Sequence, residues 1–155
     1  MTRHGDYPPI MDADYLPLGD PAWRDAYLIG GELRLTEVAV ASLLAHCRLY
    51  ETDTVLSIRR GDALKPEETI QRLVLNVISL EARATTTLVA KQMAKTEPVA
   101  AIERELTAAG LIKRQLGRVK PTSQGKAEGT HLVAANAHLG GVRGVAYNGP
   151  SAAKS

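Results

Sequence analysis

The residues of this chain best suited to metal binding or nucleophilic catalysis are its histidines, His4, His46, His131 and His138, and its single cysteine, Cys47. A structural or catalytic zinc-type site needs several imidazole, thiolate or carboxylate donors converging on one point. His131 and His138 lie about two turns apart if the chain between them is helical, but the surrounding sequence supplies no complete ligand set. His46 directly precedes Cys47. Neighbouring residues on a helix point apart, so imidazole and thiol do not form a pair, and the cysteine reads as a small buried apolar residue. Glu67 and Glu68 stand at the start of a helix, where the macrodipole accounts for them without acid–base work. No phosphate-binding glycine loop, nucleophile elbow or paired carboxylates are found. The expectation is a protein with no catalytic residues, cofactor or metal.

Anion contact is the other chemistry on offer. Lys113, Arg114, Arg118, Lys120 and Lys126 form a basic run with no acid between them. Such a run contacts carboxylates or phosphates, or protects the edge of a solvated hairpin against aggregation. The formal net charge is only +2, yet acids outnumber bases up to Ala63 and the basic surplus lies downstream. With no Phe and one Trp, the core must be aliphatic and platforms for stacking bases are few. One cysteine permits no intrachain disulfide, residues 1–9 lack the apolar stretch of a signal peptide, and no later apolar run reaches the length of a membrane span. These features point to a soluble, cytoplasmic chain.

The elements that would position the basic run follow from local signals. Residues 1–20 are rich in Pro, Gly and Asp and read as an irregular arm. Asp20 before Pro21 is a helix-start signal, Trp23, Ala26, Tyr27 and Leu28 give that helix an apolar face, and Gly30-Gly31 ends it. Thr36 with Glu37 opens a second helix, running to about Cys47. Arg48-Leu49-Tyr50 and Val55-Leu56-Ser57-Ile58 then read as a hairpin. From Pro66 onward, Ile70, Leu73, Val74, Val77 and Ile78 share one helix face. A middle helix covers about 84–95, and a third starts at Glu97 with Thr96 as its N-cap and Gly110 as its C-terminal cap. A hairpin follows, turning near Gly117 and ended by Pro121.

Three helices followed by a basic hairpin is the order of a winged helix. Residues 106–126, LTAAGLIKRQLGRVKPTSQGK, resemble the third-helix-to-wing segment of winged-helix proteins, with Gly-Leu-Ile before the basic strand and Pro-Thr-x-x-Gly closing the wing. Residues 36–60 repeat the pattern more weakly, with Cys47 where the later unit has Gly110. The expected architecture is mainly α with short β-hairpins, an α+β fold of tandem winged-helix-like units: an arm at 1–20, units at 21–64 and 65–128, and a flexible Gly/Ala-rich tail at 129–155. Over residues 23–111 the chain also resembles an uncharacterised bacterial family carrying a Tyr-Leu-x-Gly-Gly motif, here Tyr27-Leu28-Ile29-Gly30-Gly31. Many members continue into membrane segments and a Gly/Cys-rich tail; here the later part lacks the spans and the cysteines, and its glycine-rich end, Gly129 to Gly149, reads as the tail's reduced counterpart. The resemblance implies a fold and no activity.

Three functional readings follow. The favoured one is a non-enzymatic adapter of a larger bacterial assembly that binds a protein or peptide through the basic hairpin, by strand addition and charge pairing. The alternative is a DNA-binding regulator, against which stand Glu97, Glu103 and Glu105 beside a single Arg104 on the recognition helix. The third is a leader-like domain releasing a C-terminal peptide after Gly141.

Overall fold

The structure is a computed structural model and describes residues 16–17, 19–45, 48–58 and 70–154. His4, His46, Cys47, Pro66, Glu67 and Glu68 lie outside them. The elements are α1 (Pro21–Ala45), a hairpin of β1 (Leu49–Thr52) and β2 (Val55–Ile58), the helices α2 (Ile70–Leu80), α3 (Thr86–Met93) and α4 (Glu97–Ala108), a second hairpin of β3 (Ile112–Gln115) and β4 (Arg118–Pro121), then α5 (Ser123–Ala135), α6 (Gly141–Asn148) and a terminal 3-10 helix, Pro150–Lys154. The fold is therefore mainly α with two small antiparallel hairpins.

Asp20 opens α1 as its sequence signal requires. Its Oδ1 accepts a 2.8 Å hydrogen bond from the Ala22 amide, satisfying one of the donors a helix start leaves free. Gly31 breaks the helix at φ 70°, ψ −159°, a backbone state open in practice only to glycine. Here the structure departs from expectation. Helix resumes directly after Gly31, so Thr36 is not a cap but a fully buried interior residue. Just before α1, Leu16 is fully buried, and the Trp23 indole donates to the carbonyls of Leu16 (3.2 Å) and Pro17 (3.0 Å).

Buried side chains from most of the elements join one hydrophobic cluster, including Leu35 and Leu43 of α1, Leu49 and Leu56 of the first hairpin, Val74, Val89, Val99 and Leu106 of the middle helices, and Ile112 of the second hairpin. Leu56 on β2 also donates a 2.7 Å backbone hydrogen bond to Ala84, between α2 and α3. This bridge ties the first hairpin to the α2–α3 connection, while among the described residues β3 and β4 pair only with each other. At the start of α3, Thr85 caps through a 3.2 Å bond from the Leu88 amide. At α4 the Thr96 hydroxyl instead donates to the Met93 carbonyl at 2.7 Å, closing the α3–α4 turn.

The stretch 129–155, expected as a flexible tail, is folded over its described part, 129–154. α5 continues to Ala135, and α6 buries Val142, Gly144, Val145, Ala146 and Tyr147, packing chiefly on α1. The physical reason is a set of long-range polar bonds that composition does not reveal. Arg143 grips Asp20 with two 3.0 Å hydrogen bonds, Tyr147 bonds Asp25 at 2.7 Å, and Arg34 donates to the Ala146 carbonyl at 3.3 Å. The Asn148 amide in turn donates to the carbonyls of Asn136 and Leu139, at 3.0 and 3.1 Å, and so ties down the α5–α6 connection.

Candidate functional site

The second hairpin is held at its base by a compact joint. The Thr122 hydroxyl donates to the Gly110 carbonyl at 2.7 Å and accepts from the Gly125 amide at 3.0 Å, so one side chain joins the end of α4 to the start of α5. A Cβ on Gly125 would overlap the Leu111 carbonyl oxygen. Glycine is thus required by this close approach, which gives the Pro-Thr-x-x-Gly pattern of residues 121–125 a steric cause.

The register sets Ile112 opposite Pro121, Lys113 opposite Lys120, Arg114 opposite Val119 and Gln115 opposite Arg118. Because side chains alternate between faces, Ile112, Arg114, Val119 and Pro121 share one face and Lys113, Gln115, Arg118 and Lys120 the other. The first face is the inner one: Ile112 is buried, and Val119 and Pro121 are half-buried. All four residues of the outer face are exposed. Among the described residues Lys113, Arg118 and Lys120 make no salt bridge. Like charges directly opposite one another on a sheet oppose pairing by a few tenths of a kcal/mol.

Not all of the basic run belongs to this surface. Arg114 points to the inner side, where it meets Glu103 of α4 at 2.7 Å. The bond and the charge of Glu103 raise the guanidinium's already high pKa. Tyr27 makes a longer 3.4 Å bond to the same carboxylate, and burial, with Glu103 and Glu32 nearby, pushes its phenol up to about 12. Lys126 sits on α5 beside a groove of about 630 Å³ formed with Leu28, Ile29, Pro121 and Val133. The structure therefore brings three of the five basic residues together on one face and places Arg114 and Lys126 elsewhere.

At the tip, Leu116 and Gly117 both have positive φ, 52° and 76°. This is the two-residue turn whose twist suits a hairpin, normally built from Asn-Gly or Gly-Gly. Leu116 adopts it against its steric preference and is 96% exposed.

The acids of α4 acquire partners that sequence spacing did not reveal. Glu97 pairs with Arg104, Glu103 with Arg114, and Glu105 with Arg24 of α1 at 3.4 Å. His131 is exposed on α5, and His138 lies beyond the end of that helix, so they do not share a helix face. Among the described residues no group of three or more His, Cys, Asp or Glu could hold a metal ion, and no helix is long and apolar enough to cross a membrane. A second groove, of about 870 Å³, runs between the later half of α1 and α6, with Leu33, Val40, Leu44 and Val142 along it and the carboxylates of Glu37 and Glu51 beside them.

No family model matches this chain, and no curated protein or solved structure matches it either.

Proposed function

We propose that this protein is a non-enzymatic adapter of the bacterial cytoplasm whose outer hairpin face, Lys113, Arg118 and Lys120, docks an acidic segment of another protein. The observation that carries this reading is the register of Lys113 opposite Lys120 with Arg118 beside them and no carboxylate on that face. A hairpin that needed charge only to stay soluble would lose nothing by alternating signs across its strands. Three like charges on one small face raise the local potential instead, which favours and orients an acidic partner. Both outer edges of the hairpin are unpaired among the described residues, which leaves backbone groups for an added strand.

The DNA-binding reading draws on α3 and α4, joined through Ala94, Lys95 and Thr96 in the spacing of a helix-turn-helix. The exposed side of α4 carries Glu97 and Glu105 beside Arg104, and carboxylates there repel phosphate. Release of a peptide after Gly141 is disfavoured for another reason: the residues that follow include the buried Val142, Val145, Ala146 and Tyr147, which would have to leave α1.

The test is a pull-down from native extract using the intact chain and a Lys113→Glu/Arg118→Glu/Lys120→Glu variant. A protein retained by the first and lost by the second supports docking. Recovery of only nuclease-sensitive DNA would favour a regulator.

A further inference from the structure

We infer that the tip of the β3–β4 hairpin seats in the α1/α6 groove of a second copy of this chain, so that the protein associates head to tail. This rests on the reading of the hairpin as a docking element and names one protein it docks on.

Two features of the tip make it an unmated knob. Leu116 is 96% exposed and held at φ 52°, where a leucine pays a steric cost that glycine or asparagine avoids. Among the described residues it has no contact to compensate, because Ile112 and the Arg114–Glu103 pair hold the inner face against the body and leave the tip projecting. Beside this leucine stand Lys113, Arg118 and Lys120 without a carboxylate on their face.

The groove between α1 and α6 has the complementary chemistry. Leu33, 41% exposed, lies along it with Val40, Leu44 and Val142, and its lining includes Glu37 and Glu51 but no Lys or Arg. Glu37 is already held by Arg34 at 3.2 Å, whereas Glu51 makes no salt bridge among the described residues. A leucine flanked by cations thus meets an apolar trough beside an uncompensated carboxylate. Knob and groove are different surfaces of one chain, so their contact is heterologous and propagates into rings or open chains of molecules. A knob of one leucine and three cations makes a small contact, so the association is weak, with a dissociation constant taken as on the order of 100 µM, and is sensitive to salt.

Sedimentation velocity on the full chain tests this with two variants whose substitutions are all at exposed positions. The knob variant, Lys113→Glu/Arg118→Glu/Lys120→Glu, keeps its groove; the groove variant, Leu33→Lys/Glu51→Lys, keeps its knob. The wild type should sediment faster as its concentration rises toward about 1 mM, and less so in high salt. Each variant alone should remain monomeric, and an equimolar mixture should give a heterodimer and nothing larger, since only one productive contact is left. A separate Leu116→Gly change should raise the melting temperature by about 3 °C by relieving the turn while weakening association at least about tenfold. A wild type that stays monomeric throughout, variants that still associate alone, or a mixture that does not pair would overturn the inference. The broader docking reading fails separately, if the knob variant retains in extract every protein the wild type captures.

Discussion

The hydroxyl of Tyr147 donates a 2.7 Å hydrogen bond to Oδ2 of Asp25, joining α6 to α1 across most of the chain's length in sequence. Asp25 is 9% exposed, and a carboxylate so placed depends on the donor it is given. Replacing Tyr147 by Phe should therefore destabilise the fold by about 2 kcal/mol, because it leaves a buried acceptor unpaired. Asp25→Asn keeps an acceptor and removes the buried charge, and should cost less. Chemical denaturation of the two variants at neutral pH checks the order; a Tyr147→Phe protein as stable as the wild type would show that the bond is not made.

The two carboxylates that hold α6 have pKa values shifted in opposite directions. Burial raises the pKa of Asp25 despite the Tyr147 bond and the nearby Arg24, with Glu128 and Asp20 adding to the rise. Asp20 is also raised by burial, but the Arg143 hydrogen bond, the Ala22 amide and the Arg143 charge outweigh that and bring it below its usual value. The stabilising contribution of Asp25 is thus complete below about pH 4 and is lost as pH rises through its elevated pKa. That of Asp20 is present above about pH 4 and is lost as pH falls through its depressed pKa. Relative to wild type, the penalty of Asp25→Asn should shrink as pH rises toward neutral, and that of Asp20→Asn should grow. Unfolding free energies measured across the acid range should show both slopes, and differences from wild type that do not vary with pH would contradict the assignment.

Gly125 is the tightest point under the second hairpin. A Cβ there would overlap the Leu111 carbonyl, a backbone atom that cannot rotate away. Gly125→Ala should cost about 3 kcal/mol and weaken amide protection across Ile112–Gln115, whereas Gly129→Ala, also within α5 but with its Cβ only touching the Ile29 side chain at 4.0 Å, should stabilise by about 0.5–1 kcal/mol. Thermal melts and hydrogen exchange of the pair separate a steric requirement from mere helix propensity.

The first hairpin carries its own strain. Asp53 and Thr54 form its turn at φ 51° and 67°, and a β-branched residue in the left-handed region is costly. Thr54→Gly should stabilise the protein by about 1 kcal/mol, read as a higher denaturant midpoint with unchanged slope.

These relationships divide according to how local their causes are. The Asp20-Pro21 start, the left-handed cap at Gly110 and the two hairpins were legible because a few adjacent residues decide them. The folded C-terminal stretch was not, since Gly140, Gly141, Gly144 and Gly149 with the neighbouring alanines have the composition of a tail, and the bonds that order it come from Asp20 and Asp25 on α1. Val142, Val145 and Ala146 at i, i+3 and i+4 were the available signal for α6. Thr36 misled in the same way: its cap-like chemistry is overridden because helix resumes straight after Gly31 and the tertiary core buries the residue. Within the candidate site, spacing revealed the basic run but not that Arg114 turns inward to Glu103, which only strand alternation and the placement of α4 decide.

The central claim, that the outer face of the hairpin serves a partner rather than the fold, is tested most directly by Lys113→Glu, with stability and partner retention measured on the same preparation. The account predicts a melting temperature equal to or slightly above wild type, since Lys120 gains an opposite charge across the strands, together with a clear loss of the protein captured from native extract. A lowered melting temperature with capture undiminished would contradict it and make the lysine a structural residue.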